Sequence, residues 1–143
     1  RRLPKTAYFL WNDDYEYTTA LLKRHIGYYV PASEVVHKTK VFGSSDADPG
    51  ARFYNEVRNK IWLWRGSRGN FTRTERVLFL LKTVRRWALT WLHSPDRTVI
   101  ADCLRRGWHD GWHTTPEHNT RIDFGDAAVN RAVRACEGAP TDD

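Results

Sequence analysis

The chain has 143 residues, a length typical of one domain, and 41% of them are hydrophobic and 28% charged, which excludes a disordered or fibrous protein. The longest uncharged apolar run, residues 77–81, is far shorter than the ~20 residues of a membrane-spanning helix. Residues 7–11, the first apolar stretch, are too few for the core of a signal peptide. The two cysteines form no CxxC pair, which indicates a reducing compartment. The chain has no methionine and begins with two arginines, which indicates a processed chain or a fragment.

The net charge of +6 is concentrated in the middle of the chain. Residues 52–107 hold thirteen Lys/Arg against four Asp/Glu, whereas residues 1–51 are nearly balanced and residues 108–143 are acidic. Six of the seven tryptophans lie in or just beyond the basic stretch. Basic and aromatic side chains in one region predict an anionic partner, and composition alone leaves nucleic acid, a phosphorylated small molecule and a membrane surface all open.

The first 51 residues have an α/β pattern. Residues 7–11 form a short apolar run that predicts a strand, and residues 15–25 have the apolar spacing of a helix that Gly27 ends. Residues 28–30 and 35–36 are short β-type runs separated by a proline-containing turn.

Residues 52–114 are predicted to be a basic, tryptophan-rich helical region. One helix is indicated by apolar residues at a helical period between Phe53 and Trp64, and a second begins at the capping-box sequence of residues 72–75. The second helix has an apolar stripe made of Val77, Leu80, Leu81, Val84, Ala88 and Trp91. A third helix is predicted from Pro95, with Ile100, Leu104, Trp108 and Trp112 spaced four apart. The periodicity fades at Thr114, so residues 115–143 are predicted to be a poorly structured tail.

Three clusters of polar residues are candidates for chemistry. Asp13, Asp14 and Glu16 lie at a predicted strand-to-helix junction, where carboxylates serve as a general base or a metal ligand, or simply as a helix cap with an acidic first turn. His37 follows an apolar strand and is either a ligand or a hydrogen-bonded structural residue. His109 and His113 are four apart on a helix, a spacing that some metal sites use, although an aromatic packing face explains it equally simply.

Several segments resemble the C-terminal half of the family 2 inverting glycosyltransferases. They are residues 9–17 (FLWNDDYEY), Pro31, residues 35–37 (VVH) and residues 53–60 (FYNEVRNK). Within that family, residues 36–43 and 48–53 are most similar to the galactofuranosyltransferases of actinobacterial galactan synthesis. The resemblance implies an α/β fold, the C-terminal part of the Rossmann-like GT-A fold over residues 1–51, followed by amphipathic basic helices.

The resemblance also implies roles for individual residues. Asp14 is expected to be the general base that deprotonates the acceptor hydroxyl, and Asp13 to orient the acceptor. His37 is expected to complete the site of a divalent metal, Mn²⁺ or Mg²⁺, on the donor diphosphate. Trp11 and Glu16 are expected to contact the acceptor.

Arg58 is expected to approach phosphate. The nucleotide-binding half, with its metal-holding Asp-x-Asp motif, is expected upstream and is missing from this chain.

The expected function is therefore metal-dependent transfer of a sugar, with inversion, from a nucleotide-sugar donor such as UDP-galactofuranose to a polyprenyl-diphosphate-linked glycan. The enzyme is expected in the cytoplasm, peripheral on the anionic inner face of the plasma membrane, with no nucleic acid as partner. A rhamnosyltransferase using dTDP-rhamnose is the alternative within the family. A basic helical module that binds anionic lipid or nucleic acid without catalysis is the alternative from another class.

Overall fold

The computed structural model describes residues 2–36 and 48–138. This part of the chain contains five α-helices: α1 (Asp13–Leu22), α2 (Phe53–Gly66), α3 (Arg73–His93), α4 (Arg97–His113) and α5 (Ala127–Glu137). Single-turn 3-10 helices at Thr6–Tyr8, Gly50–Arg52, Arg68–Asn70 and Asn119–Arg121 lie between them. No β-strand occurs within the described ranges.

The prediction of an α/β, GT-A-like fold is therefore wrong for the described residues. Residues 7–11, predicted to be a strand, form part of a 3-10 turn and a bend. Residues 28–30 and 35–36 have no strand partner, and Tyr28 and Tyr29 are 84% and 90% exposed. The physical reason is that a strand is stable only when a neighbouring strand satisfies its backbone donors and acceptors, and β-type side chains do not supply that neighbour.

The core lies between α2 and α4. Phe53, Val57 and Ile61 of α2, the stripe predicted from sequence, pack against Ile100 and Cys103 of α4. Helix α2 begins at Phe53 and ends at Gly66, as the periodicity predicts.

Helix α4 approaches α2 through small residues and not through its tryptophans. A Cβ atom added to Gly107 would lie 2.8 Å from Val57 Cβ, and one added to Gly111 would lie 2.7 Å from Ile61 Cβ. The predicted stripe is wrong at its end, because Trp108 and Trp112 are 54% and 40% exposed. Glycine removes the side-chain volume that would otherwise separate the two helix axes.

Helix α3 begins with the predicted capping box. Thr72 Oγ1 accepts a hydrogen bond from the Glu75 backbone N–H at 3.3 Å, and Glu75 Oε2 accepts one from the Thr72 N–H at 2.7 Å. Thr83 is the one residue of this helix that is fully buried, while the predicted apolar stripe is largely exposed. Among residues 2–36 and 48–138, no helix has both the length and the apolar composition that crossing a bilayer requires.

Hydrogen bonds join the two ends of the described chain. The Leu3 N–H donates to Glu137 Oε1 at 2.9 Å, and the Thr6 N–H donates to Asn119 Oδ1 at 2.9 Å. Residues 127–137, which the fading periodicity assigns to the tail, form α5, and the Asp126 side chain caps its first turn. The prediction of a tail is wrong here although the segment is strongly amphipathic and begins at an N-cap aspartate, which are both local signals of a helix.

Candidate functional site

The loop of residues 8–12, which leads into the acidic pair, has an unusual backbone. Phe9, Trp11 and Asn12 have φ angles of 59°, 63° and 67°. Non-glycine residues rarely adopt positive φ, and each such residue costs about 1–3 kcal/mol unless its surroundings hold it. Backbone strain of this kind is concentrated at functional sites, so the loop is the first candidate for one.

Asn59 of α2 holds this loop in place. Its fully buried side-chain amide donates hydrogen bonds to the carbonyl oxygens of Tyr8 at 2.8 Å, Leu10 at 2.8 Å and Trp11 at 2.9 Å. Tyr8 is itself buried and packs edge-on against Trp62, with ring centroids 5.7 Å apart. Burial, together with the negative charge of a nearby glutamate, raises the pKa of the Tyr8 hydroxyl. The loop is thus held both by hydrogen bonds to its carbonyl oxygens and by the packing of the Tyr8 ring against Trp62.

Glu56, one turn before Asn59, holds the last residue of the loop. Its Oε2 accepts a hydrogen bond from Asn12 Nδ2 at 3.1 Å, and its Oε1 lies 3.5 Å from Nε of Arg86 on α3. The Glu56 side chain is almost fully buried, so its charge needs these partners. The same carboxylate therefore connects the loop, α2 and α3.

Arg58, expected to approach phosphate, also contacts the loop. Its guanidinium donates to the carbonyl oxygens of Ala7 at 3.3 Å and Tyr8 at 3.5 Å, and it lies over the Trp62 ring at 4.2 Å from the centroid. In the described structure Arg58 therefore contributes to holding the loop.

The acidic pair occupies the first turn of α1. Asp13 is partly buried, whereas Asp14 is exposed. Asp14 Oδ1 accepts a hydrogen bond from the Tyr15 N–H at 2.7 Å. Unpaired N–H groups at a helix N-terminus attract negatively charged groups, and both side chains lie in this first turn. Asp14 is accessible to a ligand.

Trp11 lines a cleft of about 680 Å³ between the loop and α3. On the α3 side the cleft is lined by the basic residues Lys82, Arg85, Arg86 and His93. Phe53 and Glu56 of α2 line its floor. Several cations beside an aromatic ring give the cleft a lining that suits an anionic group such as a phosphate.

Glu16, expected to contact the acceptor, lies beside a different cleft. Its carboxylate is almost fully buried and pairs with Arg2 and with Lys5, at 3.6 Å from Nζ, while Ser67 Oγ donates to it at 3.3 Å. Glu16 and Trp11 line separate clefts. The structure thus brings Trp11, Asp13 and Asp14 together where the loop meets the first turn of α1. Glu16, in contrast, belongs to an ion-pair cluster with Arg2 and Lys5.

The histidines do not form the expected metal site in the described part of the chain. His37 lies outside the described residues. The rings of His109 and His113 stack with centroids 4.2 Å apart, and His113 Nδ1 lies 2.7 Å from the His109 carbonyl oxygen. Within residues 2–36 and 48–138, no three His, Cys, Asp or Glu side chains are grouped as metal ligands.

Sequence reasoning missed two kinds of site residue. Glu56 and Asn59 are polar residues three apart beside the apolar stripe of α2, and such a pair at buried helix positions is a signal for a buried hydrogen-bond network. The sequence pattern places Lys82 and Arg85 only on a basic helix, because the cleft that they line depends on the packing of α3 against the loop.

Comparison of the chain with protein-family models, with curated proteins and with solved structures finds no match. Function is therefore inferred from the residues and their geometry.

Proposed function

We propose that this chain carries the acceptor-activating part of the active site of an inverting, metal-dependent glycosyltransferase. The reaction is transfer of a sugar from a nucleotide donor, UDP-galactofuranose in the first instance, to a polyprenyl-diphosphate-linked glycan. Asp14 is the general base. The observation that supports this proposal is the clamped loop of residues 8–12, which leads directly into α1, where Asp14 is exposed in the first turn.

The reaction requires from this part of the protein one base that is positioned close to the acceptor hydroxyl. The Asp14 carboxylate takes the proton of the acceptor hydroxyl while the hydroxyl oxygen forms a bond to the anomeric carbon of the donor sugar. The bond from that carbon to the nucleoside diphosphate breaks with its electron pair, which inverts the configuration. Positioning of the base within hydrogen-bond reach of the hydroxyl decides the rate, and a loop held by Asn59 and Glu56 supplies such positioning.

Asp13 and Trp11 position the acceptor in this proposal. Asp13 accepts hydrogen bonds from neighbouring sugar hydroxyls, and the Trp11 ring packs against an apolar sugar face. A divalent metal, Mn²⁺ or Mg²⁺, neutralises the departing diphosphate when bound. The ligand expected from the resemblance is His37, and no three of the described His, Cys, Asp or Glu side chains are grouped as ligands of this metal.

A position on the cytoplasmic face of the plasma membrane is part of the same proposal. The exposed stripe of α3 includes Leu81 and Val84, which are 59% and 55% exposed, and basic residues such as Arg85 flank it. An amphipathic helix with aliphatic and aromatic residues on one side and cations beside them suits the surface of an anionic bilayer.

The test is a measurement of nucleoside diphosphate release with Mn²⁺ and a lipid-linked acceptor analogue, on the polypeptide at its full natural length. Asp14→Asn keeps the shape of the side chain and removes the base. We expect kcat to fall by about 10²–10⁴-fold while donor affinity is retained. Asp102→Asn, a substitution of a partly exposed aspartate on α4 that pairs with Arg105 and Arg106, is the matched control and should leave kcat unchanged.

Equal rates for wild type and Asp14→Asn would exclude Asp14 as the base. Turnover with dTDP-rhamnose and none with UDP-galactofuranose would reassign the donor and leave the role of Asp14 in place. Absence of turnover with either donor, together with tight binding to anionic lipid, would favour the non-catalytic module.

A further inference from the structure

His109 and His113 form an exposed pair of imidazole rings at the end of α4. Their ring centroids are 4.2 Å apart, and the angle between the ring planes is 18°. Both residues are exposed, and the His109 side chain retains 67% of its accessible surface. Neither residue lines the two clefts described above. The pair therefore has no part in the proposed transfer reaction.

The neighbours of His109 determine which of its ring nitrogens carries the proton. Its Nδ1 lies 3.0 Å from Oδ1 of Asp110, whose Oδ2 accepts the hydrogen bond from the Tyr54 hydroxyl at 2.7 Å. The hydrogen bonds from Tyr54 and His109 hold the pKa of Asp110 below its usual value, so at neutral pH this carboxylate is ionised and only accepts. Nδ1 of His109 is therefore the donor, and the lone pair of the neutral ring is on Nε2.

His113 has the same tautomer for a similar reason. Its Nδ1 lies 2.7 Å from the His109 carbonyl oxygen, which has no proton to donate, so Nδ1 is again the donor. Histidines that bind metal ions almost always donate their second ring N–H to a carboxylate, a carbonyl oxygen or water. Both rings thus present an Nε2 lone pair and have the supporting contact that a metal ligand requires.

The position of the pair suits one shared cation. Residues four apart lie on the same face of a helix, and the centroid distance of 4.2 Å is about twice the ~2.1 Å of a Zn–N bond. His113 is the last residue of α4, where the partial negative charge of the helix C-terminus favours a cation. One turn before His109, Arg105 and Arg106 pair with Asp102 at 2.9 and 2.7 Å, which offsets part of their positive charge.

We propose that the Nε2 atoms of His109 and His113 together bind one divalent transition-metal ion, Zn²⁺ in the first instance. Imidazole nitrogen suits Zn²⁺, Cu²⁺ and Ni²⁺, whereas Mg²⁺ and Mn²⁺ prefer oxygen ligands. Since the described residues group no three His, Cys, Asp or Glu side chains as ligands, the remaining positions on the ion belong to water or to an exchangeable ligand. The site is separate from the metal expected on the donor diphosphate and does not depend on the proposed function.

The test is isothermal titration calorimetry of the chain with Zn²⁺ at neutral pH. We expect one Zn²⁺ per chain, and a tenfold excess of Mg²⁺ should leave Zn²⁺ binding unchanged. His109→Ala and His113→Ala should each weaken Zn²⁺ binding by about tenfold or more, because the second ligand of a chelate acts at a high effective concentration. His25→Ala removes an exposed histidine outside the pair and is the matched control. Circular dichroism should show the same helix content in all variants.

Two further measurements examine the supporting contacts. Asp110→Asn keeps the shape of the side chain and removes the negative charge behind His109, so Zn²⁺ affinity should fall by about tenfold. Zn²⁺ should also raise the midpoint of urea unfolding of wild type and leave that of His113→Ala unchanged, because the two ligands are neighbours only when α4 is folded.

Absence of Zn²⁺ binding to wild type would overturn the site. Equal affinities of wild type, His109→Ala and His113→Ala would do so too. An equal loss in His25→Ala would show adventitious binding to exposed histidines and would also overturn it. A loss caused by His37→Ala, with none caused by substitution of the pair, would place the ion elsewhere in the chain.

Discussion

The side-chain amide of Asn59 lies 2.9 Å from the carbonyl oxygen of Trp11, two residues before the acidic pair begins. Asn59 belongs to α2, the helix that forms the core with α4, whereas Trp11 belongs to a loop with positive φ angles. A helix of the core thus determines the backbone path of the loop that leads to the candidate base. A candidate site on a loop gains its precision from this contact.

Asn59→Ala is therefore expected to destabilise the protein strongly. It removes the donor to the carbonyl oxygens of Leu10 and Trp11, whereas the Tyr8 carbonyl oxygen keeps the Leu10 N–H, and buried acceptors without partners cost about 1–3 kcal/mol each. We expect the free energy of unfolding, from urea titration followed by circular dichroism, to fall by about 3 kcal/mol. Asn55→Ala on the same helix is the control, because Asn55 is partly exposed and its side chain forms no hydrogen bond in the described structure. A similar small loss for both variants would show that the loop does not depend on Asn59.

The parts of the fold that local sequence determines were predicted correctly. Helix α2 follows from the spacing of Phe53, Val57 and Ile61, and the start of α3 follows from Thr72 and Glu75. Both signals act within a few residues along the chain, so they do not need knowledge of distant contacts.

The parts that depend on long-range contacts were not predicted. The strand prediction at residues 28–30 needed a partner strand that the described chain does not provide. The buried face of α4 was misassigned because Gly107 is buried only by the close approach of Val57. For the site, the acidic pair was found from sequence, whereas the clamp by Asn59 joins residues about fifty positions apart, so the polar pair Glu56 and Asn59 on α2 does not by itself identify the loop as its partner.

Gly107→Ala tests the close approach of α4 to α2. The new Cβ would lie 2.8 Å from Val57 Cβ and 2.9 Å from the Tyr54 carbonyl oxygen, so the two helices would have to separate. Overpacking of this kind costs about 1–3 kcal/mol, more than the ~1 kcal/mol that alanine gains over glycine in a helix. We expect a lower midpoint of urea unfolding for Gly107→Ala.

Gly66→Ala is the matched control for this substitution. Gly66 is the last residue of α2, and a Cβ added there meets nothing within 4 Å. We expect its unfolding midpoint to be equal to that of wild type or slightly higher. An increase for Gly107→Ala of the same size would contradict the close packing.

The Tyr54–Asp110 hydrogen bond predicts a pH-dependent contribution to stability. The Tyr54 hydroxyl on α2 donates to Asp110 Oδ2 on α4 at 2.7 Å. This bond, and a second one from His109, hold the pKa of Asp110 below its usual value of 3.8. Because the folded-state pKa is depressed, the contribution is present above pH 3.8 and is lost as the pH falls through the lower folded-state value.

Tyr54→Phe is therefore expected to lower the free energy of unfolding by about 1 kcal/mol at pH 7. The difference between wild type and variant should shrink when the titration is repeated at pH values below 3.8. Urea titrations of wild type and Tyr54→Phe at pH 7, 4 and 2.5 measure this difference in the free energy of unfolding. A difference that stays constant over this range would mean that the hydroxyl acts through packing and not through the charge of Asp110.

Replacement of exposed aliphatic residues on α3 tests the proposed contact with the membrane. Leu81→Asn/Val84→Asn removes two residues that are 59% and 55% exposed and that lie on the same side of the helix. Only the exposed half of each side chain can be transferred from water into lipid, so the two together contribute about 2 kcal/mol to membrane binding. Their loss should lower the affinity for the membrane roughly thirtyfold. We expect a corresponding loss of binding to vesicles that contain 30% anionic lipid and no prenyl diphosphate, measured by co-sedimentation. Leu22→Asn/Val129→Asn replaces two exposed aliphatic residues on α1 and α5 and should bind like wild type. If instead both double variants bound vesicles as wild type does, α3 would not be the surface that contacts lipid.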